Sequence, residues 1–343
     1  MGADDERRVT ITAIAQEAGV SVPTVSRVLN GRSDVAPGTR ERVEELLRHH
    51  GYRRRGSRAT RRANLVDLVF NDLDSPWAVE IIRGVEDVSH AAGVGTVVSA
   101  IHRQSTSTRQ WLQNLRARAS DGVIVVTSHL SPPVHAQLRR LDVPVVLVDP
   151  AAGVPATDVP SVGATNWAGG LAATEHLIGL GHRRIGFVTG PTHLLCSRAR
   201  LDGYRAALEA AGVALDERLV QPGDFYHSSG FAAGAALLDL DDPPTAIFAA
   251  SDQMAFGVYE AVRRRGLRVA DDVSVVGFDD LPEARWASPP LTTVRQPLAE
   301  MGRLAARTVL RLSQGEEIES PRVELATELV VRDSCAAPAG ERH

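Results

Sequence analysis

Short apolar runs alternate with amphipathic segments through most of this sequence, and this alternation restricts the possible folds more than any other feature. Each run has five or six residues, mainly Val, Ile, Leu and Phe, as in strands that are buried on both faces. The predicted strands cover residues 65–70, 94–98, 122–127, 143–148, 185–189, 245–250 and 273–278. The predicted helices between them include 76–92, 167–180, 197–211 and 252–265. Over about 250 residues this pattern predicts parallel sheets with right-handed crossovers, arranged as two successive doubly wound α/β subdomains.

The residue composition excludes several large classes of enzyme. All 38 basic residues among the 343 are arginine, so the chain has no Gly-Lys-Ser phosphate loop, no lysine Schiff base and no Ser-x-x-Lys nucleophile. Cys196 and Cys335 are the only cysteines, which excludes a cysteine-based zinc site and a disulfide framework. The sequence has no His-Glu-x-x-His or Gly-x-Ser-x-Gly motif, and its glycines at 179–186 precede a predicted strand, where a dinucleotide loop would follow one. We therefore expect no catalytic residues, no metal and no cofactor.

The sequence contains no signal for export or for a membrane span. Its first eight residues, Met-Gly-Ala-Asp-Asp-Glu-Arg-Arg, include no apolar run of the kind found in secretory signals. No stretch approaches the roughly 18 consecutive apolar residues that a spanning helix needs. Two isolated cysteines suit a reducing compartment, so we expect a cytoplasmic protein.

Charge is distributed unevenly along the chain. Residues 1–62 contain 13 Arg and 8 Asp or Glu, a net charge of +5. The remaining 281 residues contain 25 Arg and 34 acidic residues, a net charge of −9. A small basic region beside a larger acidic one is typical of a domain that faces a polyanion, although a solvated basic face would have the same composition.

Residues 10–30 have the pattern of a helix–turn–helix. Thr10 can cap a first helix, Gly19 can end it in the left-handed conformation, and Ser21 can cap a second helix. A third helix is predicted over residues 39–50. Two short helices joined by a tight turn place the second one in a major groove of DNA. This second helix is expected to bury Val25, Val28 and Leu29 and to present outward Val22, Pro23, Thr24, Ser26, Arg27 and Asn30.

Polar and aromatic residues follow the carboxyl ends of the predicted strands, where open α/β sheets bind ligands. Carboxylates, arginine, hydroxyls and aromatic faces together suit a polyhydroxylated ligand, because its hydroxyls need donors and acceptors while its C–H face stacks on a ring. The residues concerned are Asp72, Asp74, Ser75, Pro76, Trp77, Gly190, Pro191, Arg198, Arg200, Ser251, Asp252, Gln253, Asp279 and Asp280, and Phe225 and Tyr226 lie in a loop between. Structural alternatives remain open: Asp279 and Ser251 could cap helices, Trp77 could cover the seam between subdomains, and Arg198 could pair with Asp202.

The sequence resembles the lactose-repressor (LacI/GalR) family. The resemblance rests on Ile-Ala-Gln-Glu-Ala-Gly-Val-Ser-x-x-Thr-Val-Ser-Arg-Val-Leu-Asn-Gly at residues 14–31, followed by Thr-Arg-Glu-Arg-Val at 39–43. It continues through segments at 182–186, 200–204, 251–257, 275–280 and 290–296, and covers roughly residues 9–332. It implies an all-α helix–turn–helix head joined to a periplasmic-binding-protein-like core that closes on a small effector, most often a sugar.

We expect four regions along the chain. They are a DNA-binding domain at 1–52, an Arg-rich linker at 53–63, an effector-binding core at 64–335 and a tail at 336–343. Within the core, the N-terminal subdomain is expected at about 64–163 and 294–320, and the C-terminal subdomain at about 164–293 and 321–333.

The resemblance also assigns DNA contacts in the head. It implies that Val22, Pro23, Ser26 and Arg27 meet base edges and that Thr10, Ser21, Thr24, Asn30 and Thr39 lie near phosphates. The chemistry agrees for Arg27, since a guanidinium can bind guanine O6 and N7 with two hydrogen bonds.

The linker departs from the family pattern. Relatives usually have a hinge helix whose leucine wedges into the minor groove, whereas this chain is shorter by about three residues and has Ala59 and Thr60, which are poor wedges. We expect its arginines, Arg55 and Arg58 among them, to track phosphates with little bending of the DNA. The alternative is a basic tether that is disordered without DNA.

In the core, the resemblance implies that Arg200, Phe225, Ser251, Gln253 and Asp279 line the effector cleft, with Trp77 at its mouth. Asp74 and Arg198 are further candidates from their positions after predicted strands. Relatives often place an aromatic platform where this chain has Ala164, which would enlarge the pocket or move the stacking partner to Trp77 or Trp167.

These features together predict a cytoplasmic, effector-regulated transcription factor, most readily a repressor. A homodimer would place two heads on a pseudo-palindromic operator, and the effector would be a sugar or oligosaccharide. One alternative is a solute-binding protein with the same core and no regulatory role, which leaves the basic head without a purpose. Another is an α/β enzyme with a DNA-binding appendage, which the missing nucleophiles and cofactor loops disfavour.

Overall fold

The computed structural model describes residues 10–29, 35–50, 63–102, 105–126, 132–141, 143–150 and 159–338. The chain divides into two compact units, residues 1–62, here called the head, and 63–343, here called the core. The helices are α1 (Ile11–Ala18), α2 (Val22–Leu29), α3 (Pro37–His49), α4 (Pro76–Ala91), α5 (Ser105–Arg118), α6 (Pro132–Arg140), α7 (Asn166–Gly179), α8 (Leu195–Ala210), α9 (His227–Leu238), α10 (Asp252–Arg264) and α11 (Leu298–Ser313). The strands are β1 (Leu65–Phe70), β2 (Gly95–Ala100), β3 (Gly122–Val126), β4 (Val145–Val148), β5 (Ser161–Ala164), β6 (Ile185–Val188), β7 (Val220–Gln221), β8 (Ala246–Ala249), β9 (Ser274–Asp279), β10 (Thr292–Arg295), β11 (Arg322–Leu325) and β12 (Glu328–Val330).

In residues 10–29 and 35–50 the head has three short helices around one apolar cluster, and the predicted helix–turn–helix is confirmed. Thr10 caps α1, its Oγ1 accepting a hydrogen bond from the Ala13 amide at 3.2 Å. Gly19 ends α1 with a φ of 65°, a conformation that glycine adopts without a Cβ penalty. The cluster that joins the three helices consists of the buried side chains of Ile14, Ala15, Ala18, Val25, Val28, Val35, Val43 and Leu47.

The core contains two mainly parallel sheets, as the alternating pattern predicts, and each has six strands among the described residues. The first has the order β11-β5-β4-β3-β1-β2 and is parallel throughout. The second has the order β12-β10-β9-β8-β6-β7 and is parallel except for β12, which runs antiparallel to β10. Central strands such as β3 and β9 are buried along their whole length, which explains why apolar residues occupy successive positions in them.

The chain passes between the two sheets three times, after β5, β10 and β11. We call the connecting residues 165, 296–297 and 326–327 the crossover segments. Two of these segments are tied together, since the Oγ1 atoms of Thr165 and Thr327 lie 3.0 Å apart and the Thr327 amide donates to Thr165 Oγ1 at 2.9 Å.

Strand pairing corrects the expected subdomain boundaries. The expectation that residues 321–333 belong to the C-terminal subdomain is wrong for β11, because this strand pairs in parallel with β5 in the first sheet. The boundary expected at 294 is also displaced, because β10 pairs along its whole length with β9 and the chain changes subdomain only after Arg295. Each subdomain therefore takes one strand from the last 17 residues that the structure describes.

Candidate functional site

A cleft between the two sheets is the strongest candidate site in the core. Its space, with the open mouth included, is about 800 Å³, which is the size of pockets that hold small organic ligands. The N-terminal side contributes Phe70, Asn71, Asp72, Ser75, Trp77, Ala78 and Asp149. The C-terminal side contributes Pro191, Leu194, Cys196, Arg200, Asp224, Phe225, Tyr226, Ser251, Gln253 and Asp279.

Arg200 is fixed at the bottom of the cleft. It is 3% exposed, and its Nε donates to Asn166 Oδ1 at 2.8 Å while its Nη1 donates to the Ala250 carbonyl at 2.5 Å. Its Cζ lies 3.8 Å from the ring centroid of Phe278 and 5.4 Å from that of Phe225, so the guanidinium is placed between two aromatic faces. This environment orients the planar fork of arginine before any ligand arrives.

Two buried carboxyl groups face the same cleft. Asp279 Oδ1 lies 3.8 Å from Arg200 Nη1 and accepts a hydrogen bond from Gln296 Nε2 at 2.6 Å. Burial raises the pKa of Asp279 to about 7, although the positive charge of Arg200 opposes the shift. Burial likewise raises the pKa of Asp149, again against the effect of Arg200. A carboxyl group that is partly protonated at neutral pH can donate as well as accept hydrogen bonds, which suits a ligand rich in hydroxyls.

Left-handed backbone conformations occur at the cleft. The φ angles are 51° at Asp149, 77° at Phe225, 121° at Asp279 and 56° at Asp280. Residues with a Cβ adopt such angles only where the surrounding structure imposes them. The side chains of Asp149, Phe225 and Asp279 line the cleft, so the strained backbone sets the direction of side chains that a ligand would meet.

A hydrogen bond joins Ser251 to Phe225. Ser251 Oγ caps α10 by accepting from the Met254 amide at 3.2 Å, and it donates to the Phe225 carbonyl at 3.0 Å. Ser251 therefore both caps a helix and lines the cleft. The Phe225 ring packs on the backbone of Gly190, where a Cβ would lie 2.2 Å from Phe225 Cε1.

The structure brings six of the eight predicted cleft residues together: Trp77, Arg200, Phe225, Ser251, Gln253 and Asp279. Asp74 and Arg198 are exposed and do not line the cleft, so the expectation that they do is wrong. Asp74 lies in the loop before α4, whereas its neighbours Asp72 and Ser75 reach the cleft. Arg198 is two positions from Arg200 on α8, which places the two side chains about 200° apart around the helix.

Sequence reasoning missed Asp149 and Cys196. Asp149 directly follows a predicted strand, so the argument from strand ends applied to it as well. Cys196 lies four residues before Arg200 and shares its helix face, and burial raises the pKa of its thiol so strongly that it stays protonated. Ala164 does not line the cleft; it borders an adjoining pocket together with Trp167, which is 48% exposed.

The head presents most of the predicted DNA-contacting residues on or near α2. Val22, Pro23 and Arg27 are exposed, and Thr24 and Ser26 are half-buried. Ser21 Oγ accepts from the Thr24 amide at 3.3 Å and lies 2.9 Å from Thr24 Oγ1. Thr10 is at the start of α1 and Thr39 in the first turn of α3. Asn30, Arg55 and Arg58 lie outside the described residues, as does the Arg-rich linker apart from residue 63, so what the sequence predicts for them stays a prediction.

Two features are absent from the part of the chain that the structure describes. None of the helices is both long and apolar enough to cross a membrane. The His, Cys, Asp and Glu side chains that the structure describes form no group of three that could bind a metal ion.

Comparison with protein families matches the head and the core separately. Residues 10–55 match the bacterial regulatory proteins of the lacI family. Residues 174–335 match the periplasmic binding protein-like domain.

Individual proteins match over nearly the whole chain. The HTH-type transcriptional regulator CelR of Thermobifida fusca is 39% identical over 336 residues, covering 96% of this chain and 98% of CelR. The structure of a transcriptional regulator CelR–cellobiose complex has a TM-score of 0.75 and 38% identity, covering 95% of this chain and all of that one. The lac repressor dimer bound to operator and the anti-inducer ONPF has a TM-score of 0.72 and 30% identity, covering 96% of this chain and all of that one.

Proposed function

Because this chain belongs to the LacI family of bacterial regulatory proteins, we propose that it is a repressor whose affinity for operator DNA is controlled by a sugar or oligosaccharide in the cleft. Its relatives are DNA-binding regulators of transcription and not enzymes. We further propose that it acts as a homodimer on a pseudo-palindromic operator, as the lac repressor dimer on its operator suggests. Bacterial DNA lies in the cytoplasm, and we place the protein there.

The fixed guanidinium of Arg200 carries the proposal for a sugar effector. A rigid arginine fork offers donors to neighbouring hydroxyls, the carboxyl groups of Asp149 and Asp279 add acceptors, and Trp77 and Phe225 offer ring faces. The structural relative CelR forms a complex with cellobiose, which supports a carbohydrate in this cleft.

Regulation follows from a ligand that contacts both halves of the core. Residues from both sheets line the cleft, so a bound sugar favours the arrangement in which both sides reach it. The three crossover segments allow the halves to change their relative position. The effector then changes the affinity for DNA. The size of this change is limited by the difference between the effector's affinities for the two arrangements.

A thermal-shift panel tests the class of effector. Cellobiose, glucose, maltose, ribose, a nucleobase and a sugar phosphate are added to the full chain. A ligand at 100 times its Kd should add about 2.7 kcal/mol to the free energy of unfolding. We expect a neutral sugar to give the largest shift, and a shift with the nucleobase or the phosphate alone would reject the sugar.

Matched arginine variants test whether the cleft is the binding site. Arg200→Lys keeps the charge but loses the fork and the stacking, so we expect sugar affinity to fall at least about tenfold. Arg198→Lys, at the exposed position on the same helix, should bind as the wild type does. Equal affinities in the two variants would place the sugar elsewhere.

Selection from random DNA duplexes tests the regulatory role. We expect the full chain to enrich one pseudo-palindromic sequence, and the panel's best sugar to change the affinity for it. A protein that binds the sugar but enriches no sequence would be a solute-binding protein instead.

A further inference from the structure

We propose that Asn166 and Gln296 are positioning residues that transmit occupancy of the cleft to the crossover segments. This inference rests on the proposed function, because it concerns how the effector changes the arrangement of the two halves. Neither residue lines the cleft, and each is bonded to a charged residue that does.

The first connection runs from Arg200 through Asn166. Asn166 is 6% exposed and is the first residue of α7, directly after the crossover residue Thr165. Its Oδ1 accepts from Arg200 Nε at 2.8 Å, and its Nδ2 donates to the Ala164 carbonyl at the end of β5 at 3.0 Å. One side-chain amide therefore bridges the cleft arginine and the strand that leads into the first crossover segment.

The second connection runs from Asp279 through Gln296. Gln296 is 3% exposed and lies in the crossover segment between β10 and α11. Its Nε2 donates to Asp279 Oδ1 at 2.6 Å, and its backbone amide donates to the Asp279 carbonyl at 3.3 Å. A change in the position of the Asp279 carboxyl group is thus passed directly to this segment.

Gln296 also has an unsatisfied acceptor. Among the residues that the structure describes, no donor reaches its buried Oε1. A buried carbonyl without a partner is unfavourable, so an arrangement that supplies a donor would be stabilised. The Gln296 side chain can therefore have one set of hydrogen bonds in the present arrangement of the two halves of the core and a different set in another arrangement.

The third crossover segment is coupled to the first. The hydrogen bonds between Thr165 and Thr327 join these two segments, so a displacement at Asn166 also reaches residues 326–327. Two side chains thereby connect the facing pair Arg200 and Asp279 to all three segments. A hydroxyl that binds between Arg200 and Asp279 would shift both connections together.

The test separates binding from response in the full chain. The variants are Asn166→Ala and Gln296→Met, and the matched control is Gln221→Met. Gln221 lies in β7, and its Nε2 also donates a single hydrogen bond, to the Arg218 carbonyl at 2.9 Å. Cellobiose is the first ligand used, followed by the sugar with the largest shift in the panel. Calorimetry measures its affinity.

Distances between spin labels measure the response. The labels are attached at Glu86→Cys on α4 and Glu209→Cys on α8, both exposed, in a Cys335→Ser background. We expect the sugar to shift this distance in wild type and in Gln221→Met, and to shift it by less than half in Asn166→Ala and Gln296→Met. The distance is measured at saturating sugar in every variant, at a concentration set from the measured affinity, so that weaker binding does not imitate a lost response. A full shift in both variants would overturn the proposal.

If no sugar binds, the proposed class of effector is wrong, and a second measurement is used. Hydrogen exchange of the free protein then tests the connections alone. The amides of Thr165, Thr327 and Leu298 should exchange about fivefold faster in Asn166→Ala and Gln296→Met than in Gln221→Met. Equal exchange rates would reject the two connections independently of any ligand.

Discussion

At the residue scale, Asp279 is a carboxylic acid whose ionisation is opposed by burial and supported by Arg200. Burial has the larger effect, so its pKa is about 7 in the folded protein, compared with an ordinary value of 3.8. The native state therefore binds more protons than the unfolded state between these two values. The contribution of Asp279 to stability is complete below about pH 4 and is lost as the pH rises through 7.

Asp279→Asn should remove this pH dependence. We expect the wild type to lose about 1 kcal/mol of unfolding free energy relative to Asp279→Asn between pH 6 and pH 8. Urea unfolding at both pH values measures the difference. Asp241→Asn, at an exposed aspartate, should run parallel to the wild type. A constant gap between wild type and Asp279→Asn would show that the carboxyl group is ionised throughout this range.

Gly190 is required by the position of the Phe225 ring. In Gly190→Ala the new Cβ would lie 2.2 Å from Phe225 Cε1 and 2.5 Å from Ser197 Oγ, so the ring must move out of its place beside Arg200. We expect a loss of about 1–3 kcal/mol in unfolding free energy together with weaker sugar binding. Gly179→Ala, where a Cβ meets nothing within 4 Å, should unfold like the wild type or be slightly more stable. Unchanged sugar binding in Gly190→Ala would mean that the ring position is immaterial.

The sequence predicted cleft residues where the direction of the side chain follows from a regular element. Asp279 is predicted from its position directly after a strand, and Phe225 from its loop together with the family resemblance, although both have left-handed backbone angles that no periodicity reveals. Arg198 was assigned wrongly although helix geometry was enough to reject it. With Arg200 in the cleft, the position four residues earlier shares its face and the position two residues earlier does not.

At the scale of elements, strands with both faces buried were the easiest to predict. The apolar runs predicted both ends of β1 at the observed residues, and they predicted the ends of β3 and β9 to within one residue. The strands β5, β7, β10, β11 and β12 were not predicted because they are short and combine apolar with polar residues. The partner of β11 is about 160 residues away in sequence, so its sheet could not be read from local pattern.

Helix α2 carries the prediction for DNA. In Arg27→Ala we expect the affinity for the selected operator to fall by about 1–3 kcal/mol, with a smaller loss for unrelated duplex. The charge-matched control is Arg42→Ala, on the exposed side of α3, which should reduce both affinities by a similar factor. Fluorescence anisotropy at one fixed salt concentration measures all four affinities. If Arg27→Ala kept the wild-type ratio of specific to unrelated affinity, base reading by Arg27 would be excluded.

At the scale of the whole molecule, the formal charge of −4 is the sum of two regional charges of opposite sign. The net +5 of residues 1–62 favours contact with phosphates, and the net −9 of the remainder opposes it. Since the chain has no lysine, every cationic side chain that could contact phosphate is an arginine.

Coupling between the two ligands must be reciprocal. If the sugar changes operator affinity by some factor, saturating operator must change sugar affinity by the same factor, which is typically 5–150-fold in regulated proteins. Calorimetric titration of the sugar with and without operator, compared with operator binding with and without sugar, measures both factors. Unequal factors would reveal a further state, such as a change in the number of subunits.

The order of strands in the two sheets has a consequence for how the protein is made. β11 is the edge of one sheet and β12 the edge of the other, and both are translated after the other strands that the structure describes. While the rest of the chain is translated, each sheet stays one strand short and exposes an unpaired edge, whereas the helices of the head are complete early. A chain that stops before Arg322 would therefore have a finished DNA-binding head attached to a sensor with neither half complete.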